Sequence, residues 1–287
     1  MTGVRANADL HTHSTASDGS LSPVALIDRA ADRQLRIMAL TDHDTVAGLN
    51  EAAARARARE INLIPGIELS LIWETTPVHV LGLGIEPGNV ELVDGIAALE
   101  SLRVERAETI GLRLAKLGFK ATYAGACALS GNARPGRAHF ARHLVASGML
   151  PSMQEAFTRL LKRGRPAYAA TKWPALATGI GWIRAAGGVA VLAHPLHYEL
   201  TASKLRRLAA AFADVGGEAM EVINGHADAE AIETAAALAR RLRLAGSAGS
   251  DFHAPDTPWS ELGRLPEFPR DLIHVLDLRA SWRLNQP

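Results

Sequence analysis

Asp9-Leu10-His11-Thr12-His13, close to the start of the chain, carries residue types that hold divalent metals. Side chains of an extended strand alternate with period two, so His11 and His13 point to the same side and both imidazoles can reach one ion. A lone H-x-H pair arises by chance in any histidine-containing chain. Its meaning is decided by the residues downstream, and the expectation it sets is a metallohydrolase.

Beyond this stretch, short apolar runs alternate with amphipathic segments, the pattern of a βαβ architecture. Strands are predicted at 7–10, 36–40, 63–67, 78–83, 189–193, 219–223 and 245–248, with another at 273–278. Ser22 as N-cap and Pro23 at the first helical position open a helix carrying Leu26, Ile27 and Ala30. From about 89 to 165 the periodicity is helical only, with Ile96, Leu99, Leu102, Ile110, Leu114 and Leu117 recurring along one long segment. The expected organisation is a discontinuous α/β unit, 1–88 and 166–287, interrupted by a helical insertion, 89–165, that caps the active site.

Composition narrows the possible functions. A chain of 287 residues accommodates one α/β barrel, and with 48% hydrophobic but only 5% aromatic residues its core must be packed by Ala, Leu and Val. The net charge of +1 gives no global basic field for holding long nucleic acid, so an anionic substrate must be caught by a local cluster. Cys127 is the sole cysteine, which excludes an internal disulfide and a cysteine-based zinc site and suits a reducing compartment. No apolar run of signal-peptide or membrane-span length is present. A soluble cytoplasmic protein is expected, with neither a membrane nor an obligate protein partner.

Polar ligand types gather at the C-terminal ends of the predicted strands, where α/β folds build their sites. Asp42, His43 and Asp44 follow 36–40, Glu68 follows 63–67, His79 lies in 78–83, His194 follows 189–193, and Asp251 and His253 follow 245–248. Taken singly, Asp42 or Asp44 reads as a helix cap, Asp18 beside Gly19 as a turn residue, and His79 as a buried histidine. Their coincidence argues otherwise. Six imidazoles and three carboxylates lining one lumen would be costly to desolvate unless metal neutralised them.

Six blocks carry a family resemblance: D-L-H-T-H-S from Asp9, A-L-T-D-H-D-T from Ala39, P-G-I-E-L-S from Pro65, V-H-V-L-G from Val78, A-H-P from Ala193 and G-S-D-F-H from Gly249. Through them the chain resembles the polymerase and histidinol phosphatase (PHP) family of metal-dependent phosphoesterases. Their order resembles the branch containing nucleoside 3′,5′-bisphosphate phosphatases and a 5′-to-3′ RNA exonuclease. The resemblance implies a distorted (β/α)7 barrel with the helical segment inserted. It also implies one ion on His11, His13, Glu68 and Asp251, a second sharing Glu68 with His79 and His194, and a third on Asp18, His43 and His253. The mixed nitrogen and oxygen donors suit two or three ions of Mn²⁺ first, with Fe²⁺ or Zn²⁺ as alternatives. Such ions would supply hydroxide near neutral pH, with Asp251 and His197 as the acid–base residues.

Substrate choice is expected from the insertion. Arg103 and Arg106 lie i to i+3 on one helix face, and Arg134 and Arg137 stand in a Gly/Pro loop ahead of His139. Guanidinium groups grip phosphate with paired hydrogen bonds. In the resembling branch an R-x-x-R and a G-R-x-H segment hold a second phosphate, and Ala138 here stands where proline is usual. These five residues and His253 are the expected substrate contacts, while Tyr168, Trp173 and Tyr198 could stack on a base or simply pack. The expected reaction is removal of the 3′-phosphate of a small nucleotide such as adenosine 3′,5′-bisphosphate. Stepwise cleavage of short 5′-phosphorylated RNA or DNA is the alternative, and an amidohydrolase or a non-catalytic PHP module the more distant ones.

Overall fold

The computed structural model describes residues 7–131, 133–225, 227–256 and 260–282. Seven strands form one sheet in sequence order: β1 (Ala8–Asp9), β2 (Ile37–Leu40), β3 (Asn62–Trp73), β4 (Thr76–Leu83), β5 (Val189–Leu192), β6 (Ala219–Asn224) and β7 (Ala245–Gly249). Backbone bonds from Leu10 N–H to the Ala248 carbonyl (3.1 Å) and from Asp251 N–H to the His11 carbonyl (2.9 Å) bring the outer strands together, so the sheet curls into a nearly closed barrel. Helices α1 (Pro23–Asp32), α2 (Leu49–Ala58), α7 (Leu176–Ala185), α8 (Ala202–Asp214) and α9 (Ala229–Leu242) lie outside it. As the sequence indicates, Ser22 caps α1 by accepting from Ala25 N–H at 3.2 Å, and Pro23 occupies the first turn.

Pure βαβ alternation breaks at one place. β3 runs on past residue 67 to Trp73 and returns antiparallel as β4, with Trp73 paired to Thr76 across Glu74, whose φ is 52°. That hairpin has neither Gly nor Asn at its turn, so the usual signal is missing. The predicted strand at 273–278 is corrected as well: His274 makes a single bridge to Gly246, and Val275–Leu278 is a 3₁₀ turn. With Trp282 it fills the bottom of the barrel, where the lumen is packed by Leu10, Ile37, Ile64, Leu81 and Val191. An apolar floor leaves polar side chains only the opposite end of the lumen.

The segment between β4 and α7 is helical, as its periodicity predicts. It comprises α3 (Val90–Lys116), α4 (Thr122–Ser130), α5 (Arg137–Ala146), α6 (Met153–Glu155) and a π-helical turn (Ala156–Leu161). Leu92 and Leu99, early in α3, join the core between barrel and helices, whereas Ile110 and Leu114 share a separate cluster with Phe140, Leu144 and Leu161. α3 is therefore a beam rooted on the barrel that carries a small helical unit with its own core. Cys127 is half-buried on α4. No helix among the described residues is long and apolar enough to cross a membrane.

Candidate metal centre

The strand ends deliver their polar side chains to one spot at the top of the barrel. His11 and His13 leave β1, His43 follows β2, Glu68 lies within β3, His79 within β4, His194 follows β5, and Asp251 and His253 follow β7. β7 can pass this close only because Gly249 has no side chain, since a Cβ there would stand 2.3 Å from the His11 Cβ. The 14–17 loop leading to Asp18 is held by Asp42, which accepts from Ser14 N–H (2.8 Å), Ser14 Oγ (2.7 Å) and Ser17 Oγ (2.6 Å). Asp42 is thus a loop brace rather than a helix cap.

Glu68 is the hub. Its fully buried carboxylate places Oε1 2.9 Å from His79 Nδ1 and 3.0 Å from His194 Nε2, while Oε2 lies 3.3 Å from both His11 Nε2 and His13 Nε2 and 2.9 Å from His43 Nδ1. Asp251 Oδ1 stands 3.4 and 3.3 Å from those same His11 and His13 nitrogens, which are 3.1 Å from each other. Despite these neighbours, Glu68 Oε2 makes no aligned hydrogen bond. Donor atoms about 3.1–3.4 Å apart, with lone pairs converging rather than paired, have the spacing expected around an ion whose bonds are about 2.0–2.2 Å long. The residues fit divalent metal.

Among the described residues, three groups bring ligand atoms within 4.8 Å of one another: His11, His13 and Glu68; His43, Glu68 and His79; and His13, Asp18, His43 and His253. The division implied by the resemblance differs in detail, because here His43 lies with Glu68 and His79, and His13 adjoins the Asp18 set. Asp251 and His194 flank these groups at the distances given above. All nine expected ligands come together.

Burial and charge oppose each other throughout the cluster. Burial penalises every ionised group here, yet His253, His43 and His13 hold the Asp18 carboxyl well below its usual range. Glu68 is likewise held down by His43, His11 and His79 against its own burial. His253 is raised to about 10 because Asp18 and Asp251 outweigh its desolvation, whereas burial pushes His79 down to about 4. Such tension is relieved when cations replace protons among the same donors.

Glu221, on β6, belongs to the site although strand-end spacing does not point to it. Its Oε1 accepts from His11 Nδ1 at 2.9 Å, leaving His11 Nε2 free to face the cluster. Its Oε2 accepts the His194 N–H at 2.6 Å and Asn224 Nδ2 at 3.1 Å. His194 needs that support, since its φ of 29° is unfavourable for a side-chain-bearing residue, and Asp251 sits at 55°. The only signal in the sequence is a glutamate inside the otherwise apolar run Ala219-Met220-Glu221-Val222-Ile223. His197 lies on the 3₁₀ turn after His194, with its ring stacked on that histidine at 5.6 Å. Burial, with His194 adding to it, lowers its pKa.

A cavity of about 460 Å³ opens beside the cluster, bounded by His79, His194, Arg103, Arg106, Arg137 and Trp173. Arg103 Nε is tied to Asp44 Oδ2 at 2.5 Å and its Nη2 to Ser70 Oγ at 3.0 Å. Arg106 lies over Trp173 at 5.5 Å, and its buried Nε has no partner. Burial and the neighbouring Arg137 and Arg103 push it down to about 9, still cationic at neutral pH. Arg137 rests against Phe157 of the π-helical turn at 5.9 Å and is also lowered by burial. Clustered guanidiniums without enough carboxylates make a waiting anion site. Three expected contacts stand apart from it, and of these His253 sits in the cluster beside Asp18 at 3.2 Å. Arg134 is exposed and engaged by Glu100, and His139 is buried, its Nδ1 accepting from Gly136 N–H at 3.0 Å ahead of Arg137.

A PHP domain model matches residues 9–163. The chain is 41% identical over 265 residues to a 3′,5′-nucleoside bisphosphate phosphatase of Chromobacterium violaceum, covering 92% of this chain and 93% of that protein. It is 42% identical to a 5′-3′ exoribonuclease of Escherichia coli, covering 89% and 88%. Among solved structures, one described as an amidohydrolase from Chromobacterium violaceum with bound sulfate and no metal superposes with a TM-score of 0.91 at 39% identity, covering 95% of each chain. A candidate metal-dependent phosphoesterase from Bifidobacterium adolescentis superposes at 0.82 with 28% identity, covering 91% and 92%. With its nine convergent metal-ligand types, its barrel and these relatives, the chain belongs to the PHP domain family of metal-dependent phosphoesterases.

Proposed function

We propose that this enzyme removes the 3′-phosphate from nucleoside 3′,5′-bisphosphates, adenosine 3′,5′-bisphosphate above all. The observation that carries the reading is the juxtaposition of a metal-competent cluster with the partly unpaired Arg106 and Arg137 on one cavity wall. One phosphate rests on the cluster and the other on the arginines, so the substrate must carry two. The helical segment 89–165 acts as the cap that supplies this wall, with α3 contributing Arg103 and Arg106, and the start of α5 contributing Arg137.

His11, His13, Asp18, His43, Glu68, His79, His194, Asp251 and His253 would hold two or three divalent ions, Mn²⁺ in preference to Fe²⁺ or Zn²⁺, in a cytoplasmic protein. When bound, the ions supply an activated water and neutralise the phosphoryl oxygens. Asp251 holds a proton acceptor beside the reacting phosphate, His253 reaches the same phosphate from the Asp18 side, and His197 donates to the departing 3′-oxygen. Arg103, Arg106 and Arg137 bind and orient the second phosphate, Arg103 being held on the wall by Asp44 and Ser70, and His139 fixes the turn that presents Arg137. Arg134 has the weakest claim, because Glu100 already occupies it.

Cleavage of short 5′-phosphorylated oligonucleotides is the second reading, favoured by the similarity to the Escherichia coli exoribonuclease. Amide hydrolysis fits the site less well. The group at the hub is a carboxylate, Glu68, and Lys162, the lysine among the described residues lining the cavity, sits in its cationic wall. The test is a screen with Mn²⁺ of nucleoside bisphosphates, monophosphates, 5′-phosphorylated oligonucleotides and an amide panel. Bisphosphates should turn over fastest, and fastest turnover of an amide would overturn the proposal.

A further inference from the structure

We infer that Tyr198 is a positioning residue for the metal centre: its hydroxyl sets the spacing between His79 and His194, and with it the affinity for the ion that those imidazoles share with Glu68. This rests on the ligand set proposed above and adds to it a residue that is not itself a ligand.

β4 and β5 run antiparallel, with Leu81 opposite Val191 and Val80 opposite Leu192. The same register puts His79 opposite Ala193, and a hydrogen-bonded pair in an antiparallel ladder exchanges two N–H···O bonds. Half of that exchange is made, from Ala193 N–H to the His79 carbonyl at 3.1 Å. In place of the other half stands the Tyr198 hydroxyl. It accepts from His79 N–H at 2.9 Å and donates to the Ala193 carbonyl at 2.8 Å, with the His79 carbonyl also in reach at 3.3 Å. On that side the rung is wider by one inserted oxygen than a direct bond would make it.

Both ligands hang from this rung. His79 is part of it, His194 is the residue after Ala193, and the two imidazoles reach the same oxygen, Glu68 Oε1, at 2.9 and 3.0 Å. Tyr198 ends the 3₁₀ turn Pro195–Tyr198 that starts directly after His194, and its ring stands edge-on to that histidine at 5.4 Å. The turn thus folds back to brace the ligand it follows. Without the hydroxyl, a buried N–H and a buried carbonyl lose their partner, and the backbones of β4 and β5 gain by closing on each other. Such a shift carries His79 and His194 along, whereas metal–ligand distances must hold to within about 0.2 Å.

The experiment titrates the metal-free chain with Mn²⁺ by calorimetry, in the parent, in Tyr198→Phe and in His79→Ala. Tyr198→Phe keeps the ring and removes only the hydroxyl. It should bind one ion about 10- to 100-fold more weakly, as loss of an outer partner does, and hold the others at parental affinity. His79→Ala should lose that same ion. For Tyr198→Phe, kcat on adenosine 3′,5′-bisphosphate should fall at limiting Mn²⁺ and recover at excess, with KM unchanged because the arginine wall is untouched. Its metal-free melting temperature should stay within about 5 °C of the parent's, showing that it folds. Parental affinity for every ion in Tyr198→Phe overturns the inference, and so does equal weakening of all of them. A metal-free variant that no longer folds would make the hydroxyl a bond of the fold rather than of the site, and overturns it too. If His79→Ala loses no ion, the ligand assignment has failed and the inference falls with it.

Discussion

The metal cluster and the arginine wall face the same cavity but are built in opposite ways. The cluster hangs from barrel strands whose backbones are tied to one another, and its side chains are locked around Glu68 by neighbours at 2.9–3.3 Å. The wall comes from α3 and the start of α5, elements outside the barrel, with Arg106 packed on Trp173 and Arg137 on Phe157. Strand ends give a chemistry that changes little, while helices outside the barrel give a wall that can be altered without disturbing the chemistry. The two regions should therefore fail differently when mutated.

The largest effect is expected from Glu68→Gln, which removes the charge shared by five imidazoles. Phosphate release should fall more than about a thousandfold for every substrate alike, because a metal supplies several kcal/mol of charge stabilisation and each 1.4 kcal/mol is tenfold. The same variant should lose the rise in melting temperature that Mn²⁺ gives the parent chain, a shift of several degrees at about 100 times Kd. Arg106→Ala and Arg137→Ala should lower kcat/KM for the bisphosphate by about 10- to 100-fold, the worth of a charge-assisted phosphate contact, and leave both monophosphate turnover and the Mn²⁺ shift in place. Equal losses on mono- and bisphosphate would erase the distinction between the two regions.

A smaller effect is expected at Glu221, which orients two ligands without facing the reacting phosphate. Glu221→Gln should weaken Mn²⁺ binding about tenfold, measured by calorimetry, with activity recovering at excess metal. Arg134→Ala should change bisphosphate kcat/KM by no more than about twofold, since its partner is Glu100 on the surface. A drop as large as that of Arg137→Ala would bring Arg134 back into the wall.

The same contrast sets how much of the molecule is legible in its amino-acid sequence. Ligand types at strand ends are legible because strand periodicity and the βα order fix where those residues go, so His11 through His253 can be named from spacing and motif alone. The arginines are legible only as residue types. Nothing in Arg134 and Arg137, three residues apart, says that Glu100 holds one while Phe157 backs the other. Glu221 is hidden because a carboxylate within a strand reads as a local irregularity until its two partners, 210 and 27 residues away, are seen. The β3–β4 hairpin and the 3₁₀ turn replacing the last strand depend on tertiary packing that overrides local pattern.

The wall's demand for a second phosphate beside the metal cluster is tested most directly by the ratio of kcat/KM for adenosine 3′,5′-bisphosphate to that for adenosine 3′-monophosphate with Mn²⁺-loaded protein. A ratio of about 100 or more is expected, from contacts made to the 5′-phosphate alone, falling toward one in Arg106→Ala/Arg137→Ala. A ratio near one in the parent chain would contradict it.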